Sequence, residues 1–244
     1  MTRHRDWVAP GVKVEIWSDV VCPWCYIGKR RFEQALAGFP HRDAVEVVWR
    51  ALELDPSAPS ERTGGYAENL AAKYRVPLEQ AQGMVDNMTG VAAQDGLEFH
   101  FETARPGSTF DAHRLLHLAG ERGVQDAVKE RLLRATFTEG EPIGDHDTLV
   151  RLVAQAGLDA DEARAVLSSD RYAAEVRGDE QQAAAYGITG VPFFVVDGRY
   201  GVSGAQPAEA LGQVLAQAWA ERSPLQMVST GGSAPGCDGD ACAV

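Results

Sequence analysis

Apolar and charged residues alternate where the chain's first pattern appears: Val12, Val14 and Ile16 are separated by Lys13 and Glu15, the period of two expected of a strand. Beyond Pro23 the spacing changes. Tyr26, Ile27, Phe32 and Leu36 recur at helical intervals, and Gly38 with Pro40 marks the stop. The run VEVVWRA at 45–51 is β-branched and aromatic, which predicts a second strand. Strand, helix and strand in this order form a βαβ unit with parallel strands.

From Tyr66 to Tyr186 the chain is rich in Ala, Leu, Glu, Gln and Arg and predicts six or seven helices. Start signals stand at Ser108/Thr109, Asp145 and Asp159, the last followed by Glu162 at capping-box spacing. The stretch FHFET (99–103) is expected to be extended. Strand chemistry returns in FFVVDGRYGVSG (193–204), where Asp197-Gly198 predicts a hairpin turn. Residues 207–222 predict a closing helix with Leu211, Val214, Leu215, Ala218 and Trp219 on one stripe, and the Gly/Ser/Pro-rich tail from Ser223 reads as flexible. The expected architecture is a βαβ–ββα sheet domain in two parts, 12–60 and 187–222. A large all-helical insertion at 61–186 splits it, and a tail at 223–244 follows.

Composition removes several function classes. The 244 residues carry a net charge of -12, so no basic surface is expected to recruit nucleic acid or an anionic membrane. The N-terminal residues lack an apolar stretch of signal-peptide length, and no run is long enough to span a bilayer. These features point to the cytoplasm, where thiols are kept reduced and a cysteine pair is more often catalytic or metal-binding than a staple.

That pair is Cys22 and Cys25 in CPWC, set where strand gives way to helix. A cysteine at a helix start meets unpaired N–H groups and the positive end of the macrodipole, both of which favour thiolate. Pro23 suits the first helical turn, since its missing N–H is not needed there. Cys22 is therefore expected to be the exposed attacking thiol and Cys25 the more buried resolving one. Because Pro23 and Trp24 supply no titratable group, Cys22 is expected to ionise below the ~8.5 of a free thiol but well above ~3.5. A buried inert pair and a zinc half-site are the competing readings. In ITGVPFFVV (188–196), a proline opening a strand beside the first would place Val191 and Pro192 next to the thiols, where the Val191 backbone can pair with an extended substrate. An ordinary trans proline is the alternative.

The blocks SDVVCPWCYIGKRRFE, WRALELDP (49–56), STFDAHRLLHLA (108–119), GITGVPFFVVDGRYGVSGAQ (187–206) and CDGDACAV together resemble the DsbA family of thioredoxin-fold proteins, in its FrnE-like branch. The resemblance spans roughly residues 12–222 and the tail pair, with CPWC and GVPFF its most specific parts. It implies a thioredoxin fold with a helical insertion, thiol–disulfide oxidoreductase activity and a cis proline at Pro192. Ser108 departs from it, standing where relatives are expected to carry Asn.

Other residues carry candidate chemistry. Cys237 and Cys242 form a candidate second redox pair; about thirteen flexible residues before Cys237 span roughly 20 Å, enough to reach CPWC. Incidental tail thiols and a zinc site shared with CPWC are the alternatives. His113 and His117, four apart, read as satisfied helix residues rather than ligands. Trp24, Tyr26 and Phe193 are a candidate apolar rim, and Asp19 reads as a solvated strand-end residue or a proton-handling carboxylate for Cys25.

The leading function is a disulfide oxidoreductase or isomerase acting on protein or small-thiol disulfides, with no cofactor beyond its own redox-active disulfide and glutathione as an admissible co-substrate. The alternatives are a glutathione-dependent isomerase or transferase resembling 2-hydroxychromene-2-carboxylate isomerase, and a zinc-binding or chaperone-like module. Cys25 discriminates against the first, whose members place Ser at the Cys22 position and lack a resolving Cys. Oligomeric state is not read from the sequence.

Overall fold

The computed structural model describes residues 11–222. Strand β1 (Val12–Ser18) leads into helix α1 (Pro23–Ala37), and after a 3-10 turn at Arg42–Ala44 comes β2 (Val45–Ala51). β1 and β2 pair in parallel without a slip, from Val12 opposite Val45 to Ser18 opposite Ala51. On its other edge β1 pairs antiparallel with β3 (Phe193–Val196), Ile16 facing Phe194, and β4 (Tyr200–Ser203) follows, giving the sheet order β2-β1-β3-β4. The hairpin turn has Asp197 and Gly198 at φ 52° and 64°, a region where Gly and Asp are tolerated. Asp197 is also tied to β1, accepting from the Lys13 N–H at 2.7 Å.

Between β2 and β3 lie seven helices: α2 (Tyr66–Tyr74), α3 (Leu78–Gln94), α4 (Phe110–Glu121), α5 (Gln125–Phe137), α6 (His146–Gln155), α7 (Ala160–Leu167) and α8 (Ala173–Ala185). α9 (Ala208–Ala220) closes the described chain. The fold is the expected one, a thioredoxin-type sheet whose two parts are separated in sequence by helices.

One face of the sheet packs Val12, Val14 and Ile16 against Phe32 and Ala35 of α1 and Leu211, Leu215 and Ala218 of α9, with Val214 and Trp219 alongside. Most of the other face is covered too, with the Lys13 side chain its exposed member at 42%. Trp17 is buried there with Ala183, Ile188 and Val195, and its indole N–H donates to the Asp179 carbonyl of α8 at 2.9 Å. Glu15 is buried on that face as well, paired with Arg50. A charged residue inside a strand can thus mark a paired interior position rather than solvent.

The helices have a core of their own, built from Leu115, Leu118, Leu132, Leu149, Val153 and Val166, among others, and Val20 from the β1–α1 loop inserts into it. Asp145 and Asp159 cap α6 and α7, accepting from Thr148 N–H and Glu162 N–H at 2.8 Å each. The box at Asp159 is only half made, because the Glu162 carboxylate turns to Arg122. Thr109 precedes α4 without a side-chain cap bond. Residues 99–103 form no strand: the segment turns at 101–103, with Phe99 packed at a tilt on Phe137 and Phe101 on Tyr66. Tertiary burial of aromatics overrides their strand preference here. None of the helices among the described residues is long and apolar enough to cross a membrane.

Candidate active site at the start of helix α1

Cys22 is the N-cap residue of α1, extended at φ -99° and ψ 112°, and Pro23 opens the first turn. The Val191–Pro192 peptide is cis, and it presents the Val191 carbonyl 3.6 Å from Cys22 Sγ. Gly28 lets this loop close on the helix: a Cβ there would lie 2.8 Å from Pro192 Cγ. The Gly204 N–H donates to the Pro192 carbonyl at 2.8 Å and holds the loop from the hairpin side. So β1, α1 and the β3 entry bring Cys22, Cys25, Pro23, Trp24, Val191 and Pro192 together.

The two sulfurs differ in access, though less than expected. Cys22 is 5% exposed, Cys25 0%. Cys22 is nearly covered rather than open, because the Val191–Pro192 loop lies over it. Trp24 is 37% exposed beside the pair. Tyr26 takes no part in a rim: it is buried, stacks on Phe99 and donates to Glu130 at 2.7 Å.

The electrostatics correct a second expectation. The Cys22 thiol is pushed well above its ordinary range by its hydrogen bond to Cys25, then by burial and by the charges of Cys25 and Asp19; only the Cys25 N–H acts the other way. Cys25 is lowered. Burial alone would raise it, but the hydrogen bond from Cys22, the charge of Lys129, the Ser18 hydroxyl and the Asp19 N–H outweigh that cost. The Asp19 N–H lies 3.4 Å from Cys25 Sγ. Of the two thiols Cys25 is the more easily ionised, since the local donors favour it and the helix terminus does not compensate for the burial of Cys22.

Asp19 is not solvated. It is fully buried, accepting from Leu54 N–H at 2.8 Å and from His113 Nε2 at 3.3 Å. Burial raises its carboxyl, but the His113 bond and charge, the Leu54 N–H and Lys129 bring it below the usual carboxylate value. His113 is thus a partnered helix residue, and it reaches the back of the pair. His117, at the next turn, lies 3.0 Å from Asp179 and faces α8 instead. Among the described residues no group of three or more His, Cys, Asp or Glu could hold a metal ion. Cys237 and Cys242 lie outside the described residues.

Sequence reasoning missed Lys129 of α5, which is 0% exposed and acts on Cys25 and Asp19. A signal existed: Lys129 falls on the stripe that carries Val128, Leu132 and Leu133, where a core helix has no use for an ordinary lysine. A cavity of about 410 Å³ opens beside the pair, lined by Asp19, Val21, Leu54, Tyr66, Leu70 and Thr109 among others.

Comparison with known proteins settles the family. A family model described as a DSBA-like thioredoxin domain matches residues 13–216. The chain belongs to the DsbA-like thioredoxin family, whose members are thiol–disulfide oxidoreductases. The crystal structure of the probable DsbA oxidoreductase SCO1869 from Streptomyces coelicolor is 51% identical with a TM-score of 0.84, covering 96% of this chain and 99% of that one. The uncharacterized protein YwbO of Bacillus subtilis (strain 168) is 32% identical over 76% of this chain and 86% of its own. The cytosolic disulfide reductase DsbM from Pseudomonas aeruginosa, solved with GSH, shares the fold at 18% identity and a TM-score of 0.60, over 84% of this chain and 98% of that one.

Proposed function

We propose that this DsbA-like protein exchanges disulfides through its CPWC pair, with Cys22 meeting the substrate and Cys25 completing the exchange. The observation that carries the reading is the position of the two sulfurs: Cys22 has the pair's only access, 5% against 0%, and borders the Val191 carbonyl, while Cys25 lies behind it against the Asp19 N–H. In the oxidising direction, a substrate thiolate attacks Cys22 Sγ of the pair's disulfide. The Cys22–Cys25 bond breaks, and its electron pair leaves on Cys25. A second substrate thiolate attacks the substrate sulfur of the mixed disulfide, and Cys22 departs and takes a proton. The substrate dithiol is oxidised by two electrons and the pair reduced. The lowered Cys25 suits this direction, because a more acidic thiol leaves faster. Reduction is the reverse sequence, and isomerisation needs only a second thiol of the same substrate.

Within the family we assign the chain to the FrnE-like branch, on the CPWC, GVPFF and CDGDACAV blocks together, and to the cytoplasm. Cys237 and Cys242 are read as an internal redox partner for Cys22. Glutathione, as a co-substrate, would meet Asn69 and Lys73 in the cavity's lining, where Arg62 is paired with Asp55.

The test is insulin reduction, with trapping. Cys22→Ser is expected to abolish turnover, and Cys25→Ser to accumulate a mixed disulfide on Cys22 with protein substrate, with glutathione or with the tail. Full turnover by Cys22→Ser would overturn the reading.

A further inference from the structure

The helical segment carries a second cleft, of about 710 Å³, between the start of α2, one stripe of α3 and the turn at 99–102. Aromatic burial shapes its floor. Val85, Phe99 and Phe101 are buried there, Phe99 against Phe137 and Phe101 against the Tyr66 ring at 4.5 Å. Helix α1 backs the same floor: Tyr26, next to Cys25, stacks on Phe99 with ring centroids 5.9 Å apart. At the rim Leu78 stands 52% exposed, so apolar surface is offered at the edge as well as at the base.

The charges at the rim have one sign. Glu68, Asp86 and Glu102 line the cleft, and no lysine or arginine does. Asp86 accepts from Gln82 Nε2 at 2.8 Å and Glu68 from the Gly65 N–H at 3.0 Å, both neutral donors, while Glu102 shares His100 with Glu98. Elsewhere in the helical segment carboxylates are matched by arginines, Glu139 by Arg131 and Glu162 by Arg122. An acidic rim around an apolar floor favours an occupant that is cationic and apolar together. It disfavours a small anionic thiol, and also a second copy of this chain, whose net charge is -12. Continuity narrows the source of that occupant. Tyr66 is a wall of this cleft and of the cavity beside the dithiol, which Asp19 and Val21 also line.

We propose that the cleft holds an extended segment of the polypeptide substrate in which lysine or arginine flanks apolar side chains. The segment leaves the exchange site past Tyr66. Its apolar side chains cover Phe99 and Phe101, and its cations meet Glu68, Asp86 and Glu102. The cleft adds affinity and takes no part in the exchange of sulfur. The inference deepens the proposed function, naming a substrate class, and rests on polypeptide being exchanged at CPWC.

The probe is a fluorescent peptide without cysteine, in which lysines alternate with leucine and phenylalanine, together with its twin carrying glutamate for lysine. Binding to the full-length protein is read by anisotropy, and the lysine peptide is expected to bind on the order of tenfold more tightly. In Asp86→Lys with Glu102→Lys the preference should reverse, the lysine peptide losing and the glutamate peptide gaining on the order of tenfold. The gain distinguishes reversal from loss of fold. Asp43→Lys with Asp161→Lys makes the same change in net charge at side chains 99% and 93% exposed, outside the cleft. It should move either affinity by about twofold at most. Leu78→Ser tests the apolar half without altering charge and should weaken the lysine peptide about fivefold.

Equal shifts in the two double variants would overturn the proposal, since overall charge would then account for the binding. An unchanged affinity in Leu78→Ser would do the same. So would a wild-type dimer, seen by sedimentation, that Asp86→Lys with Glu102→Lys dissolves, because the cleft would then belong to a second copy. The peptide carries no thiol, so the two readings fail separately. Peptide binding without insulin turnover counts against the dithiol, and insulin turnover without peptide binding counts against the cleft.

Discussion

Three residues apart on one helix, the two cysteines meet opposite surroundings. Cys22 looks toward the Val191–Pro192 loop, where its neighbours are a backbone carbonyl, a proline ring and the half-open Trp24. Cys25 looks toward the helices, where Ser18, Asp19, His113 and Lys129 form a charged interior reached by no solvent. The front is shaped by close approach and carries little charge; the back is charged. The difference teaches that the sheet domain shapes the front of the pair, whereas His113 and Lys129, two of the buried polar groups behind it, come from α4 and α5. Fold and electrostatics are contributed by different regions, and each can be broken separately.

The largest effect is expected at the back. His113→Leu removes the main support of a buried carboxylate, and breaking such a pair typically costs about 3–5 kcal/mol. The melting temperature should fall by roughly 10 °C. The pH dependence has a definite sign. Asp19 is held below its reference value of 3.8, so its contribution is present above 3.8 and is lost as pH falls through the folded value. In His113→Leu the acid-unfolding limb should therefore move to higher pH, read by circular dichroism. An unchanged limb would mean that Asp19 does not depend on His113.

Lys129→Met should act in the reverse sense on stability. The gap between 10.5 and about 8 corresponds to about 3 kcal/mol disfavouring the buried ammonium at neutral pH. A lysine lowered in the folded state binds its proton more tightly when unfolded, so stability rises with pH between about 8 and 10.5. Methionine, similar in length and uncharged, should raise the midpoint of denaturation at neutral pH and abolish that rise.

What the sequence made legible was local. The strand at 45–51 was placed residue for residue, because its β-branched run is set off at both ends. Asp145 and Asp159 were found as caps, because a cap bond joins residues three apart. The pairing of Cys22 with Val191 followed from topology once strands were assigned. The back of the site was hidden for a physical reason: Asp19, His113 and Lys129 are far apart in sequence, and nothing near Asp19 announces that it will be sealed. Likewise, FHFET reads as a strand because aromatics favour both sheets and packed turns, and only the position of Phe137 decides between them.

At the front the effects should be smaller. Gly28→Ala places a Cβ 2.8 Å from the Pro192 ring, a rigid neighbour that has to move. Overpacking of this kind costs typically about 1–3 kcal/mol. Because the displaced loop carries Val191, insulin turnover should drop while the thiolate titration of the pair stays in place. If the titration moved as well, the front and back of the helix would be coupled more tightly than their separate contacts suggest.

Trp24→Ala should have the smallest effect on stability, within about 0.5 kcal/mol, since the side chain stands 37% exposed and leaves little cavity behind. Its consequence should instead depend on the substrate. An exposed indole beside Cys22 offers apolar area to an unfolded polypeptide and very little to a small thiol. KM for insulin should therefore rise with kcat nearly constant, the signature of lost uniform binding. On the proposed function, the rate of exchange with glutathione should be unaltered, because a small thiol gains little from an exposed indole. An equal loss for both substrates would mean that Trp24 acts on the thiols rather than on the polypeptide, and the apolar front would have to be redrawn around the Val191 loop alone.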